Sequence, residues 1–336
     1  MIESTILIII ALVVIALVFD FTNGFHDAAN SIATVVATGT LTPKQAVALA
    51  AVCNFIIVFF IALYGTFSVA ATIGKGIVTP GAIDFYVIFG ALVGAISWNI
   101  ITWYFGLPTS SSHALIGALV GASIAKSGTS VLIMEGLSKT LIFVVASPCI
   151  GFIIGAGLNT IMRNIFTKET ERHRKYFRWG QIASCAFYSM GHGANDAQKT
   201  AGIIWLILIV GNMSDVNGGI PLWAVYLSFI AMGLGTLAGG WRIVQTLGFK
   251  LTKLEPRNGL TAEVGGGIML FVSSGFGIPV STTHTITGSI LGVGASQPVP
   301  NVKWKMANKI MVAWVLTIPA AGFLGAAFEL IIRGLV

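Results

Sequence analysis

Apolar residues in this chain come in blocks long enough to cross a lipid bilayer, separated by short polar turns. Five blocks, at about 2–20, 45–66, 84–105, 109–126 and 139–163, precede the one strongly charged stretch, 168–178. Five more follow it, at about 180–210, 220–241, 259–277, 279–297 and 310–332. Roughly 20 apolar residues in a helix match the hydrocarbon thickness of a bilayer, and lipid offers backbone N–H and C=O groups no partner but one another. Each block therefore predicts a membrane helix, and the chain predicts an all-α integral membrane protein. Block 2–20 begins with Glu3 and no basic residue, unlike a cleaved signal peptide, and predicts a retained span.

The second half repeats the first. Gly24-Phe25-His26-Asp27-Ala28 returns 169 residues later as Gly193-Ala194-Asn195-Asp196-Ala197. The stretch LPTSSSHALIGALVGASIA from Leu107 returns after 171 residues as IPVSTTHTITGSILGVGAS from Ile278, keeping Pro108/Pro279, His113/His284, Gly117/Gly288 and Gly121/Gly292. Pro148, Gly151 and Phe152 return at the same spacing as Pro319, Gly322 and Phe323. Three matches in order predict two repeats, 1–166 and 179–336, joined by a charged cytoplasmic connector at 167–178. An odd number of crossings per repeat turns the second one over, giving two inverted-topology repeats with broken helices or re-entrant helical hairpins. The total is about 10 to 12 transmembrane segments. Segments 109–126 and 279–297 are short and fit either a full span or one arm of a hairpin.

Charge is scarce and its placement is informative. Only 9% of residues are charged against 55% hydrophobic, which excludes a soluble globular domain. With the central stretch inside, Lys44, Arg163, Lys168, Arg172, Arg174, Lys175, Arg178, Arg242, Lys250, Lys253, Arg257, Lys303, Lys305 and Lys309 are cytoplasmic. Only Lys75, Lys126, Lys139 and Arg333 fall outside, with Lys199 left within a span. That bias predicts a multi-pass protein of the cell (inner) membrane with both termini outside. It also accounts for the +7 net charge without nucleic acid. Cys53, Cys149 and Cys185 lie in apolar runs without metal-ligand spacing and read as small packing residues.

Inside the blocks, polar residues gather at the duplicated motifs. Asn23, Asp27, Asn30 and Ser31 follow one another at spacings that share a helix face, and the second copy supplies Asn195, Asp196, Gln198, Lys199 and Thr200. A carboxylate deep in a membrane costs about 2.5–3.5 kcal/mol, so Asp27 and Asp196 call for a cation or a proton. Carboxylate, amide and hydroxyl oxygens together suit sodium. The second motif breaks the chain at Gly106-Leu107-Pro108 and Gly277-Ile278-Pro279 and then supplies hydroxyls: Thr109 and Ser110 to Ser112 in one half, Ser281, Thr282 and Thr283 in the other. These read as helix starts, whose unpaired N–H groups and positive dipole end attract anions. Two such starts facing each other would hold one tetrahedral oxyanion. Lys199 could pair Asp196, touch the anion or snorkel. His113 and His284 are expected to hydrogen-bond within the hairpins, and Asp20, Asn54, Asn99 and Glu263 to act as gating or interhelical groups.

The combination of GFHDAAN with GHGANDAQKTAG, and of PTSSSH with PVSTTH, resembles the inorganic phosphate transporter family of the PiT type over the whole chain. The resemblance implies a secondary active transporter importing inorganic phosphate by symport with sodium ions. In some bacterial relatives the coupling ion is the proton and the cargo a metal phosphate. It implies a phosphate site at Thr109, Ser110, Ser111, Ser112, Gln198, Thr200, Ser281, Thr282 and Thr283, and cation ligands at Asn23, Asp27, Asn30, Asn195 and Asp196. Transported sodium would be bound, no further cofactor is required, and a homodimer is compatible with the family. Two departures stand out: the family's Asn-Asp pair is His26-Asp27 in the first half, and Asn54 stands where eukaryotic relatives carry glutamate. An anion channel would need a continuous polar ring and an enzyme a nucleophile with a positioned base; neither pattern is present.

Overall fold

A computed structural model describes residues 2–64, 67–299 and 301–335. Among these are twelve α-helices: α1 (Ile2–Ala37), α2 (Pro43–Tyr64), α3 (Ser68–Lys75), α4 (Phe85–Tyr104), α5 (Ser111–Ser127), α6 (Met134–Ile165), α7 (Glu171–Val210), α8 (Leu222–Ala238), α9 (Trp241–Phe249), α10 (Pro256–Gly275), α11 (Thr282–Ala295) and α12 (Trp304–Leu335). The described residues form no strand beyond a single bridge between Val78 and Leu132. Helices α1, α2, α4, α6 and α12 are each long and apolar enough to cross a membrane, and α8 with α9, bent by 71°, makes a sixth candidate. Large apolar side chains such as Leu63, Val315 and Phe323 point outward, more than 70% exposed, as a lipid-facing surface requires.

The order long helix, helix plus short helix, paired helices, long helix occurs twice, as α1–α6 and α7–α12. The counterpart helices α1 and α7 run antiparallel: Ile9 lies against Gly211, the Ser31 carbonyl accepts from Cys185, and Thr38 donates to Gln181 at 2.8 Å. That antiparallel run is the inversion in physical form. The repeats also interlock, since α4 and α5 pack on α12 while α10 and α11 pack on α6.

Helices α4 and α5 form one hairpin and α10 and α11 the other. Lys126 near the end of α5 pairs with Asp84 at the start of α4 at 3.0 Å, so that hairpin returns to the side it entered. Its open end shares a core cluster with Ile9 and Leu12 near the start of α1, whereas Gly259 at the start of α10 lies against Thr38 and Gln181 at the other end. The hairpins therefore enter from opposite sides and meet tip to tip: the Thr283 hydroxyl donates to the Thr109 carbonyl at 3.1 Å. Segments 109–126 and 279–297 are thus the inner arms of two hairpins whose tips meet inside the fold. Both tips turn through a glycine in the left-handed region, Gly106 at φ 63° and Gly277 at φ 67°. Each tip also hangs on the short helix of the opposite repeat, Gly106 O accepting from Thr246 at 2.8 Å and Gly277 O from Thr72 at 2.9 Å.

Two expectations change. Most of the connector, 167–178, is already the start of α7: Thr170 caps His173 N at 3.2 Å and Glu171 pairs with Arg174, so the helix begins at residue 171 and 166–170 join it to α6. Block 2–20 does not end before the first motif; α1 continues through it to Ala37. Helix α7, the longest at 40 residues, is not among the apolar spans, and its middle carries Asn195, Asp196, Gln198 and Lys199.

Glycines set the closeness of this packing. A Cβ on Gly121 would sit 2.0 Å from the Gly322 carbonyl, and one on Gly292 2.1 Å from the Phe152 carbonyl. Both belong to GxxxG pairs, Gly117/Gly121 and Gly288/Gly292, that let helix backbones touch. Gly121→Leu and Gly292→Leu are expected to lower stability by more than the ~1–3 kcal/mol of ordinary overpacking, because backbone must move. Gly157→Ala, with nothing within 4 Å, is expected to be neutral. Thermal unfolding of the purified protein in detergent checks both; equal melting of Gly121→Leu and wild type would refute this packing.

Candidate functional site

Midway along α1 (Ile2–Ala37) the apolar run gives way to Asp20, Asn23, His26, Asp27, Asn30 and Ser31, all buried. The matching stretch of α7 buries His192, Asn195, Asp196, Gln198, Lys199 and Thr200. The helices cross here, between an apolar cluster built on Ile9, Leu12, Ile203 and Ile207 and another built on Ile32, Val35, Cys185 and Tyr188. The two hairpin tips fill the crossing.

At each tip a serine caps the inner helix: the Ser110 side chain accepts from His113 N at 3.2 Å, and Ser281 from His284 N at 3.1 Å. Helix geometry leaves the N–H groups of Ser111 and Ser112, and of Thr282 and Thr283, without intrahelical acceptors. The first hydroxyl of each inner helix reaches a carboxylate. Ser111 Oγ donates to Asp27 Oδ2 at 2.7 Å and Thr282 Oγ1 to Asp196 Oδ2 at 3.1 Å. These are counterpart bonds, since residues 27 and 196, and 111 and 282, occupy matched places in the repeats. Ligand atoms of Asp27, Asp196 and His192 lie within 4.8 Å of one another, so the two carboxylates share one site.

The surroundings of the carboxylates differ. Asp27 Oδ1 lies 2.7 Å from His26 Nδ1, and Ser111 Oγ lies 2.5 Å from Asn23 Oδ1. Asn30 donates to Thr282 and Thr283 at 3.2 and 2.8 Å. Asp196 instead holds Lys199 Nζ at 2.5 Å, and His192 Nε2 lies 3.2 Å away. Lys199 is 2% exposed, so it does not snorkel; its ammonium also touches Ser112 Oγ and donates to the Val280 carbonyl at 2.9 Å. Formally the cluster sets two carboxylates against one ammonium, with two helix N-termini beside them.

Most residues read from the sequence come together here: Asn23, Asp27, Asn30, Asp196, Ser111, Ser112, Thr282 and Thr283, with Thr109, Ser110 and Ser281 at the tips. Three do not. Asn195 turns to the second hairpin, donating to Ser274 at 3.1 Å, as its counterpart His26 contacts Thr102 at 3.1 Å on the first. Gln198 lies on the opposite face of α7 from Asp196 and donates to its own helix at Ala194 O, 2.8 Å. The buried Thr200 hydroxyl meets none of the hydroxyls at the tips. His113 and His284 do not bond within their hairpins. Their rings meet edge to face at 4.7 Å, and His284 stacks on Trp314 and bonds the Val144 carbonyl.

Tyr188 escaped the sequence reading, yet its hydroxyl donates to Thr282 O at 2.9 Å and fixes the second helix start. The signal was its spacing: residues 188, 192 and 196 fall one turn apart on α7. Among the expected gating or interhelical groups, Asn54 contacts His192 Nδ1 at 3.2 Å and donates to Thr236 at 2.9 Å, and Asp20 accepts from Asn23 at 3.4 Å. Asn99 is buried without a hydrogen-bond partner for either amide atom. Glu263 accepts from both Thr34 and Ser184, joining α10 to α1 and α7 below the site.

Known proteins share both chain and fold. Residues 23–325 match the profile of the phosphate transporter family. A probable low-affinity inorganic phosphate transporter of Rhizobium meliloti (strain 1021) is 51% identical over 320 residues, covering 95% of each chain. A protein of the same description from Bacillus subtilis (strain 168) is 44% identical, covering 96% of this chain and 97% of its own. A solved structure described as the sodium-dependent phosphate transporter superposes with a TM-score of 0.85 over 98% of this chain and all of its own, at 21% identity, and so shares the fold. With duplicated acids and hydroxyls at the crossing and a profile match that spans both repeats, the chain belongs to the phosphate transporter family.

Proposed function

We propose that this protein imports inorganic phosphate across the cell membrane by symport with sodium ions, both held where the hairpin tips meet α1 and α7. The observation that carries this reading is the pair of matched bonds, Ser111 to Asp27 and Thr282 to Asp196. Each puts a cation-seeking carboxylate in contact with the anion-seeking start of a helix. Phosphate oxygens would take the free N–H groups of the two helix starts, and hard oxygens around Asp27 would take sodium. Phosphate and sodium stabilise each other there, because either charge alone pays the desolvation cost of the membrane interior. Coupling follows: the loaded and empty forms cross, and the half-loaded forms do not. Family membership and the permease names of the relatives support transport rather than catalysis. The excess of Lys and Arg in the connector and its neighbouring loops supports an orientation with both termini outside.

The test is uptake of radiolabelled phosphate into proteoliposomes under an inward sodium gradient, with a choline gradient and an inward proton gradient as parallel arms. Acceleration by sodium is expected; acceleration by protons alone would replace sodium with the proton as coupling ion, and acceleration by neither would sink symport.

The two acids separate binding from folding. Asp27→Asn removes a carboxylate whose neighbours are a histidine and hydroxyls, so the protein is expected to fold and to lose roughly ten- to a hundredfold in coupled uptake, for the ~1.5–3 kcal/mol of a charged hydrogen bond. Asp196→Asn strands the buried Lys199 ammonium and is expected to cost about 3–5 kcal/mol of stability as well. Melting curves of the two variants beside their uptake rates check this, and the double change D196N/K199M should recover most of the melting temperature without recovering uptake.

A further inference from the structure

The repeats hold the same cage of three oxygens, and in one of them a side chain of the protein sits inside it. In the second repeat the Lys199 ammonium contacts Asp196 Oδ1 at 2.5 Å, the Val280 carbonyl at 2.9 Å and Ser112 Oγ. The places matched to these in the other repeat are Asp27, Thr109 and Thr283. Those three converge likewise: the Thr283 hydroxyl lies 3.4 Å from Asp27 Oδ1 and 3.1 Å from the Thr109 carbonyl. The place of Lys199 is taken there by Asn30, whose amide reaches only the Thr283 hydroxyl among the three, at 2.8 Å.

A carboxylate, a backbone carbonyl and a hydroxyl form the oxygen set a small hard cation takes in place of water. An ammonium is a compact point charge with three donors and fits the same set. Tethered to α7 and 2% exposed, it does not leave with the substrate. We infer that Lys199 permanently supplies one of the two cations for which the duplicated cages are built, so that this carrier moves one sodium ion fewer per phosphate than it would with asparagine at position 199. The inference rests on the reading that a cation travels with phosphate; it adds which cage the travelling ion uses, that of Asp27, and how many ions travel. It also gives a reason for the unequal neighbours of the two acids. With a fixed positive charge at Asp196, that half of the site attracts phosphate before any ion binds.

The test is Lys199→Asn, which makes position 199 match position 30. In proteoliposomes loaded by a sodium gradient, the ratio of labelled sodium to labelled phosphate taken up is measured for both proteins. K199N is expected to carry one more sodium per phosphate and to show a steeper sodium-activation curve. Melting of the purified proteins in sodium against choline gives a second readout that needs no transport. Sodium is expected to raise the melting temperature of K199N by more than it raises that of the wild type, because the ion now binds the folded state at Asp196. An unchanged flux ratio, or, for a variant that does not transport, equal sodium shifts in melting, overturns the inference and leaves Lys199 a structural ion-pair partner. Sodium-independent uptake by the wild type would remove the sodium symport reading alone; the extra sodium stabilisation of K199N would still uphold the tethered cation.

Discussion

A carboxylate inside a bilayer has to be answered by something, and the arrangement of this protein follows from how Asp27 and Asp196 are answered. Both are shut off from bulk solvent, at 1% and 0% exposure. Long apolar helices bring them to the middle of the fold, but an unbroken bundle would offer only side chains, since its backbone polar groups are spent within each helix. Breaking the chain at Gly106-Leu107-Pro108 and Gly277-Ile278-Pro279 frees helix starts and brings them to the acids from opposite sides. The left-handed glycines, the serine caps and the threonines of α3 and α9 that hold the tips all serve that delivery.

Close packing then keeps the broken segments in place. A re-entrant hairpin has no full set of lipid contacts to orient it, so its inner helix must be gripped by protein. Glycine pairs on α5 and α11 lie directly on the backbone of α12 and α6, near the helix-interior prolines Pro319 and Pro148. Dispersion contacts and backbone proximity replace the hydrophobic effect, which gives helices no reason to associate when the solvent is itself apolar. Because each hairpin is gripped by the other repeat, the two halves cannot separate without releasing the site.

Much of this was legible in the sequence for a physical reason: a membrane admits few backbone solutions, and a duplication displays each functional place twice. Asp27 with Asp196 and Ser111 with Thr282 could be paired on the page before any geometry was known. Gln198 could not be judged so, because no polar residue stands at its matched place, Ala29, and nothing but the helix phase told which way it faced. Tyr188 was hidden for the opposite reason; an aromatic residue in an apolar block reads as packing until its hydroxyl is seen on Thr282. Helix starts were legible only where a cap stood before an apolar run. The basic stretch at 172–178 masked the beginning of α7, although Thr170 and Glu171 carried the capping signal.

The duplication also marks where the two sides of the site part company. Beyond the crossing, α1 continues toward its end with Thr34 and Thr38, one turn apart, and the facing part of α7 offers Ser184 and Gln181. Glu263 lies between them, accepting from Thr34 and Ser184, so a polar seam runs from the carboxylates to that end of the helices. The matched direction along α7 from Lys199 meets Ile203 and Ile207, packed with Leu12 and Leu92 in an apolar core, and the place matched to Glu263 is Leu92 itself. Side-chain oxygens therefore continue along the first route, while on the second the buried Asp20 and Thr200 lie beside the site and apolar side chains follow. Inverted repeats make the backbone equivalent on both sides, so the difference rests on side chains alone, and it is largest at the single substitution of a buried glutamate for a leucine.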